Sequence, residues 1–133
     1  MIQAGAQLPA QTYQVTRADL IRYAGVSGDF NPIHWSDRVA TGVGLPGVIA
    51  HGMFTMALAG RAVTTWLGDA AAVLEFGVRF AKPVVVPDDD TGTEVVVSGV
   101  VKSVDDQGRA QLELTVTSGG EKVLTQARAV VRT

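Results

Sequence analysis

Apolar residues recur along the chain with two different periods, and the change falls near Gly68. Upstream the spacing is helical. Thr16 followed three residues later by Asp19 marks a helix start, with Leu20, Ile21 and Ala24 on one face and Gly25 or Gly28 near the end. Asn31-Pro32 predicts a second start, because Asn caps and Pro suits the first helical position, where its missing N–H would have had no partner. That helix is expected to carry His34 in its first turn, run through Trp35 and Val39, and stop at Gly42 before the link Gly42-Val43-Gly44-Leu45-Pro46-Gly47. From about His51 to Leu67 the residues are apolar nearly all round, which predicts an enclosed helix about 25 Å long that stops at Gly68. Its small residues Gly52, Ala57, Ala59 and Gly60 would let a sheet approach closely.

Downstream the period becomes two, over Val73–Phe80, Thr93–Val104, Gln111–Thr117 and Lys122–Arg132. The clearest strand turns Leu112, Leu114 and Val116 inward and Gln111, Glu113, Thr115 and Thr117 outward. Asp105-Asp106-Gln107-Gly108 and Ser118-Gly119-Gly120-Glu121 supply hairpin turns, and an early strand near Thr12–Thr16 is expected to join the sheet. A buried helix followed by a meander predicts an α+β domain over 1–133, with a mostly antiparallel sheet curling around the helix.

Composition narrows the function. The chain has 133 residues, 47% of them hydrophobic and none of them cysteine, which excludes a disulfide scaffold and intrinsic disorder and suits one domain. A net charge of −2 gives no overall positive field for nucleic acid. No formal charge lies between Val39 and Gly60, but the glycines, Pro46 and His51 inside that stretch make it a buried element rather than a membrane span. The amino-terminal stretch Met1–Pro9 has neither the basic flank nor the apolar run of a signal peptide, so a cytoplasmic protein is expected.

Both histidines lie in the helical half. Pro32 disfavours helical geometry at Asn31, so Asp29 stays on the loop while His34 rides the following turn, and the two side chains can converge on one water. A neutral imidazole and a carboxylate holding one water supply a proton acceptor and a proton donor on one face of a substrate. The same residues also fit a plainer arrangement, with Asp29 as a turn or capping carboxylate and His34 as a satisfied, half-buried histidine, and by spacing alone that arrangement is the commoner. His51-Gly52 opens the long helix, whose first N–H groups lack partners and where glycine lets a ligand oxygen come close. Equally, Gly52 could permit helix–sheet contact and His51 cap the helix.

Other sites are weaker. Asp88-Asp89-Asp90-Thr91-Gly92 lacks the alternating ligands and closing Glu of an EF-hand and fits a solvated turn. Two histidines seventeen residues apart, with no cysteine, give no zinc spacing, so no metal is expected. Gly-x-Ser-x-Gly and phosphate-loop motifs are absent, leaving acid–base rather than covalent chemistry.

The segment Tyr23-Ala-Gly-Val-Ser27-Gly28-Asp29-Phe-Asn31-Pro32-Ile33-His34, followed after five residues by Ala40, resembles the hydratase signature of the MaoC-like, R-specific enoyl-thioester hydratases and dehydratases. The resemblance extends to Ala50-His51-Gly52-Met53, to Val78-Arg79-Phe80, and to Pro83-Val84-Val85-Val86-Pro87-Asp88, expected in the first long strand. Many relatives carry Pro-Gly-Asp where this chain has Pro87-Asp88-Asp89. Details around Ile33-His34-Trp35, Thr64–Asp69 and Thr117–Gly120 are most similar to catalytic subunits of (3R)-hydroxyacyl-carrier-protein dehydratases. The resemblance implies a hot-dog fold in which Asp29 and His34 hold and activate water, the Gly52 N–H binds the thioester oxygen, Asn31 and His51 give support, and no cofactor is needed. It also implies an acyl-CoA or acyl-carrier-protein substrate and a dimer, either with itself or with a related hot-dog subunit. Arg61, Arg79, Lys82 and Lys102 are candidates for contact with the carrier, although each also fits an ordinary surface charge. A hot-dog thioesterase and a non-catalytic acyl-binding subunit are the alternatives.

Overall fold

The computed structural model describes residues 2–133; Met1, the first residue of the amino-terminal stretch read above, lies outside them. Five strands form one antiparallel sheet in the order β1-β3-β4-β5-β2: β1 (Gln7–Val15), β2 (Val73–Phe80), β3 (Thr93–Val104), β4 (Arg109–Ser118) and β5 (Glu121–Arg132). Alternation decides which face is buried. Val95, Val97 and Val101 of β3 and Ala110, Leu112, Leu114 and Val116 of β4 all lie in the core, packed towards α3 (Gly52–Leu67). At the β4–β5 turn Gly119 and Gly120 both have positive φ (59° and 79°), the backbone of the tight hairpin turn that glycine favours. A single helix laid on a curved antiparallel sheet is the hot-dog arrangement.

The predicted first helix is α1 (Arg17–Ser27), opened by a reciprocal capping box between Thr16 and Asp19 and closed by Gly28 at φ 76°. The early strand is longer than predicted because its edge position hides it. Only Val15 of Gln7–Val15 is fully buried, three of its residues are glutamine, and Pro9 falls where the register with β3 slips between Leu8 and Gln11.

Three expectations need correction. The helix predicted from Asn31 to Gly42 is two pieces, a 3₁₀ turn at Pro32–His34 and α2 (Asp37–Gly42). Ser36 between them is extended and caps α2 through its hydroxyl, accepting from the Val39 N–H, so a second helix start outcompetes continuation of the first. The long helix is not enclosed. Leu58, Ala59, Ala62 and Val63 are buried against the sheet, whereas Met53 is 57% exposed and Ala57 is open, because a one-layer sheet covers only one side of the helix. Pro83–Asp88 is not part of a strand. β2 ends at Phe80, and the two prolines, which cannot donate to a ladder, leave only a bridge between Val85 and Ile49, flanked by Ala50 N–H to Val84 C=O (2.8 Å) and Val86 N–H to Val48 C=O (2.9 Å). That bridge anchors the chain just before α3.

Candidate active site

The loop between α1 and the 3₁₀ turn is built from short side-chain acceptors, each bonded to the N–H two residues on. Ser27 Oγ accepts from Asp29, Asp29 Oδ1 from Asn31 and Asn31 Oδ1 from Ile33, at 3.2, 3.1 and 3.2 Å. The Trp35 indole N–H closes the loop on the Phe30 carbonyl at 3.0 Å. His34, at the end of that run, is buried, and its Nδ1 lies 2.7 Å from the Ile49 carbonyl. A carbonyl only accepts, so the neutral ring carries its proton on Nδ1 and presents a lone pair at Nε2.

That Nε2 lies 3.8 Å from Asp29 Oδ2. The separation is too long for a direct hydrogen bond, and two acceptors face each other across it. The two oxygens of Asp29 face different ways: Oδ1 stitches the turn while Oδ2 faces the imidazole. Asn31 caps the turn that carries His34.

His51 is the residue before α3, and its side chain makes no bond to the helix. Only 2% exposed, it points Nε2 at the Asp29 carbonyl (3.1 Å) and stacks on His34 with 3.8 Å between ring centroids and 21° between planes. Burial holds its imidazole below the ordinary histidine range; the Asp29 carbonyl opposes that shift and His34 adds to it. Gly52 begins α3, where the first N–H groups have no intrahelical partner, and among the described residues none accepts from its N–H. The Phe80 ring packs against it, so glycine also permits close helix–strand contact here. Gly52 and Phe80 stand between two cavities. One, about 360 Å³, includes Tyr23, Ser27, Asp29, His51 and Met53; the other, about 320 Å³, is mainly apolar, with Leu45, Ile49, Val84, Val123 and Leu124 in its wall. A larger depression, about 600 Å³, is lined only by residues of β2 to β5 and shares none of these groups.

Asp29, His34 and His51 each offer a ligand atom within 4.8 Å of the others, a spacing that a metal ion could bridge. Their geometry does not suit one. The two rings are nearly parallel, so their lone pairs do not converge, and one nitrogen of each is directed at a carbonyl.

Sequence reasoning passed over Tyr23, whose ring meets His51 edge-on at 4.8 Å, and Phe80. The signal for Tyr23 was its position four residues before Ser27 on one helix face. The Ile49 carbonyl, a backbone atom, has no side-chain signature. Of the four cations considered for a carrier, Lys82 pairs with Glu121 (3.2 Å), Lys102 with Glu113 (3.5 Å), and Arg61 lies over the Tyr13 ring. Arg79 forms no hydrogen bond or ion pair among the described residues. The acidic stretch is a turn in which Asp89 Oδ1 accepts from Thr91 and Gly92 (3.0 and 2.6 Å).

Fold and loop together define a hot-dog protein carrying a carboxylate and an imidazole beside the start of its central helix. The family model for the MaoC like domain matches residues 3–119, and the chain belongs to that family. It is similar to 3-hydroxyacyl-thioester dehydratase X of Mycobacterium tuberculosis, 46% identical over 79 residues that make up 59% of this chain and 27% of the relative. It is 32% identical to the 3-hydroxybutyryl-CoA dehydratase of Methylorubrum extorquens over 112 residues, 84% of this chain and 69% of that one. A solved MaoC-like dehydratase superposes with a TM-score of 0.95 at 38% identity, covering 98% of this chain and 40% of the other. The chain thus spans about a quarter of dehydratase X and two fifths of that solved chain. Among the described residues no helix is long and apolar enough to cross a membrane.

Proposed function

We propose that this domain catalyses reversible hydration of trans-2-enoyl thioesters to (3R)-hydroxyacyl thioesters, as a hydro-lyase of fatty-acid metabolism. The observation that carries the reading is the facing pair, Asp29 Oδ2 and His34 Nε2 at 3.8 Å, with the Ile49 carbonyl fixing the proton of His34 on the far nitrogen. One water between them donates a hydrogen to each. His34 turns the free lone pair of Nε2 towards that water, so it takes the proton as the water oxygen bonds to the β-carbon, and returns it to the α-carbon. One O–H bond and the C=C π bond break, C–O and C–H bonds form, and the protein ends as it began. Charge builds meanwhile on the thioester oxygen, where the Gly52 N–H at the helix start is the stabilising donor. The chemistry calls for no cofactor.

The apolar cavity beyond Phe80 suits an acyl chain. Either coenzyme A or an acyl carrier protein can present such a thioester, with Arg79 the cation left open for it. The assembly proposed is a dimer with a second copy or a related hot-dog subunit, seated on the free edge of β2 and the uncovered side of α3. The test is a panel of enoyl thioesters varied in length and carrier, given to the chain alone and with a candidate partner. Hydration is expected. Release of free thiol instead would make it a thioesterase, and binding without turnover in every combination a non-catalytic acyl-binding subunit.

A further inference from the structure

We propose that His51 is a positioning residue, a single neutral imidazole that locks the Asp29 backbone, the His34 ring and the first turn of α3 into one block. The proposal rests on the hydratase reading of Asp29 and His34 and adds a role for the second histidine.

The starting point is a conflict between His51 and its place in the sequence. A residue preceding a helix ordinarily turns its side chain back to accept from the N–H two or three positions on. His51 does not. Its ring reaches across to the Asp29 carbonyl instead, 22 residues earlier in the chain, at 3.1 Å. Because that carbonyl only accepts, the ring proton sits on Nε2 and the lone pair on Nδ1. Nδ1 is buried, and no group among the described residues bonds to it. Serine, threonine or asparagine at the same position would have capped the helix but left the Asp29 carbonyl without its donor. Histidine gives up the cap and holds that carbonyl.

Geometry supplies another account. The backbone of His51 leads directly into Gly52, its edge holds the Asp29 main chain, and its face covers the His34 ring at 3.8 Å. One side chain thus spaces the water-holding pair against the thioester-binding N–H. When His34 takes the proton from water, the face of a neutral ring beside it attracts the new cation, whereas a second imidazolium at that distance would repel it. His51 must then stay neutral through turnover. Burial keeps it so, and the titratable groups facing the stacked pair are Asp29 and Tyr23.

Three variants separate the parts of this role. His51→Gln keeps an N–H for the Asp29 carbonyl and loses the ring face; His51→Phe keeps the face and loses the donor; His51→Ala loses both. Each is made in the full chain, assayed with whatever partner the wild type requires, and studied by nitrogen-15 NMR of the His34 ring. The alanine variant is expected to lower kcat about 10- to 100-fold, with KM moved less than about threefold, and Gln and Phe each to restore part of the loss. In the wild type the His34 proton is expected fixed on Nδ1, and in the alanine variant exchanging between both nitrogens. Should alanine fail to fold, Gln and Phe carry the comparison, each falling below wild type in kcat. Folded variants with wild-type kcat and an unchanged His34 ring signal would overturn the proposal. If the wild type itself hydrates no enoyl thioester, the hydratase reading fails and the NMR comparison alone decides the positioning role: a freed His34 proton sustains it, a fixed one ends it.

Discussion

The Phe80 ring lies across Gly52 so closely that a methyl group on the Gly52 Cα would stand 3.0 Å from Cε1 and 3.1 Å from Cδ1. Phe80 is 53% exposed, so its ring can swing outward, and the first position of a helix accepts alanine readily. Gly52→Ala should therefore fold with stability within about 1 kcal/mol of wild type. Its hydration rate should still drop, by 10-fold or more by the rough measure of a weakened oxyanion donor, because the methyl and the displaced ring crowd the space before the N–H. Enoyl-thioester hydration measured beside thermal unfolding checks both halves; a wild-type rate removes Gly52 from the site.

Asp29→Asn preserves an oxygen for the Asn31 N–H and so keeps the turn, while taking the negative charge away from the water. His34→Ala removes the acceptor at Nε2. Each should lower hydration about 10²- to 10⁴-fold without loss of folding, judged by circular dichroism and the unfolding midpoint. Near-normal turnover in both would leave the pair as a turn carboxylate and a buried histidine and nothing more.

Asp37 accepts from the Val48 N–H (3.1 Å) and from Arg17 (2.9 Å), whose Nε also holds the Val86 carbonyl at 2.6 Å. The Val48 N–H first, and the Arg17 guanidinium after it, keep its carboxyl below the usual range. The folded chain thus binds this proton less readily than the unfolded chain. The stabilisation is whole above about pH 4, the unfolded value, and disappears as pH falls through the lower folded one. Denaturant titrations should find Asp37→Asn less stable than wild type near neutrality, the two curves converging in acid; a constant difference down to acid pH contradicts the assignment.

Gly92, at φ 68°, closes the acidic turn before β3, and a Cβ there would overlap the Val15 carbonyl. Backbone cannot move aside as a side chain can. Gly92→Ala should cost at least about 2 kcal/mol through both the positive φ and the collision. A loss below half of that in urea unfolding would show the turn to be adaptable.

Period and punctuation made most of this fold legible. Val73–Phe80 and Thr93–Val104 have their predicted ends, and Thr16, Gly28 and Gly68 act as the caps their types suggest. That Asp29 and His34 can meet followed from Pro32, which restricts the residue before it, although spacing alone favoured the plainer turn. What the sequence hid was competition and backbone. Ser36 begins a new helix where an unbroken pattern pointed to continuation, and Gln126 sits at φ 47° where the β2–β5 and β4–β5 registers slip, with no glycine to announce it. The family resemblance put Pro83–Asp88 in a strand, and its two prolines, each lacking a donor, keep it to a single bridge. Ring stacking of His34 on His51 joins residues 17 positions apart through a fold that neither residue specifies.

Ile49 offers its carbonyl to His34 and faces Val85 across an isolated bridge. The position of the His34 ring proton is thereby moored to a stretch of main chain outside the Asp29–His34 pair. Drift among residues 83–87 would shift that proton from a distance, leaving every side chain of the pair untouched, so two relatives with identical side chains here can differ for reasons written only in that mooring.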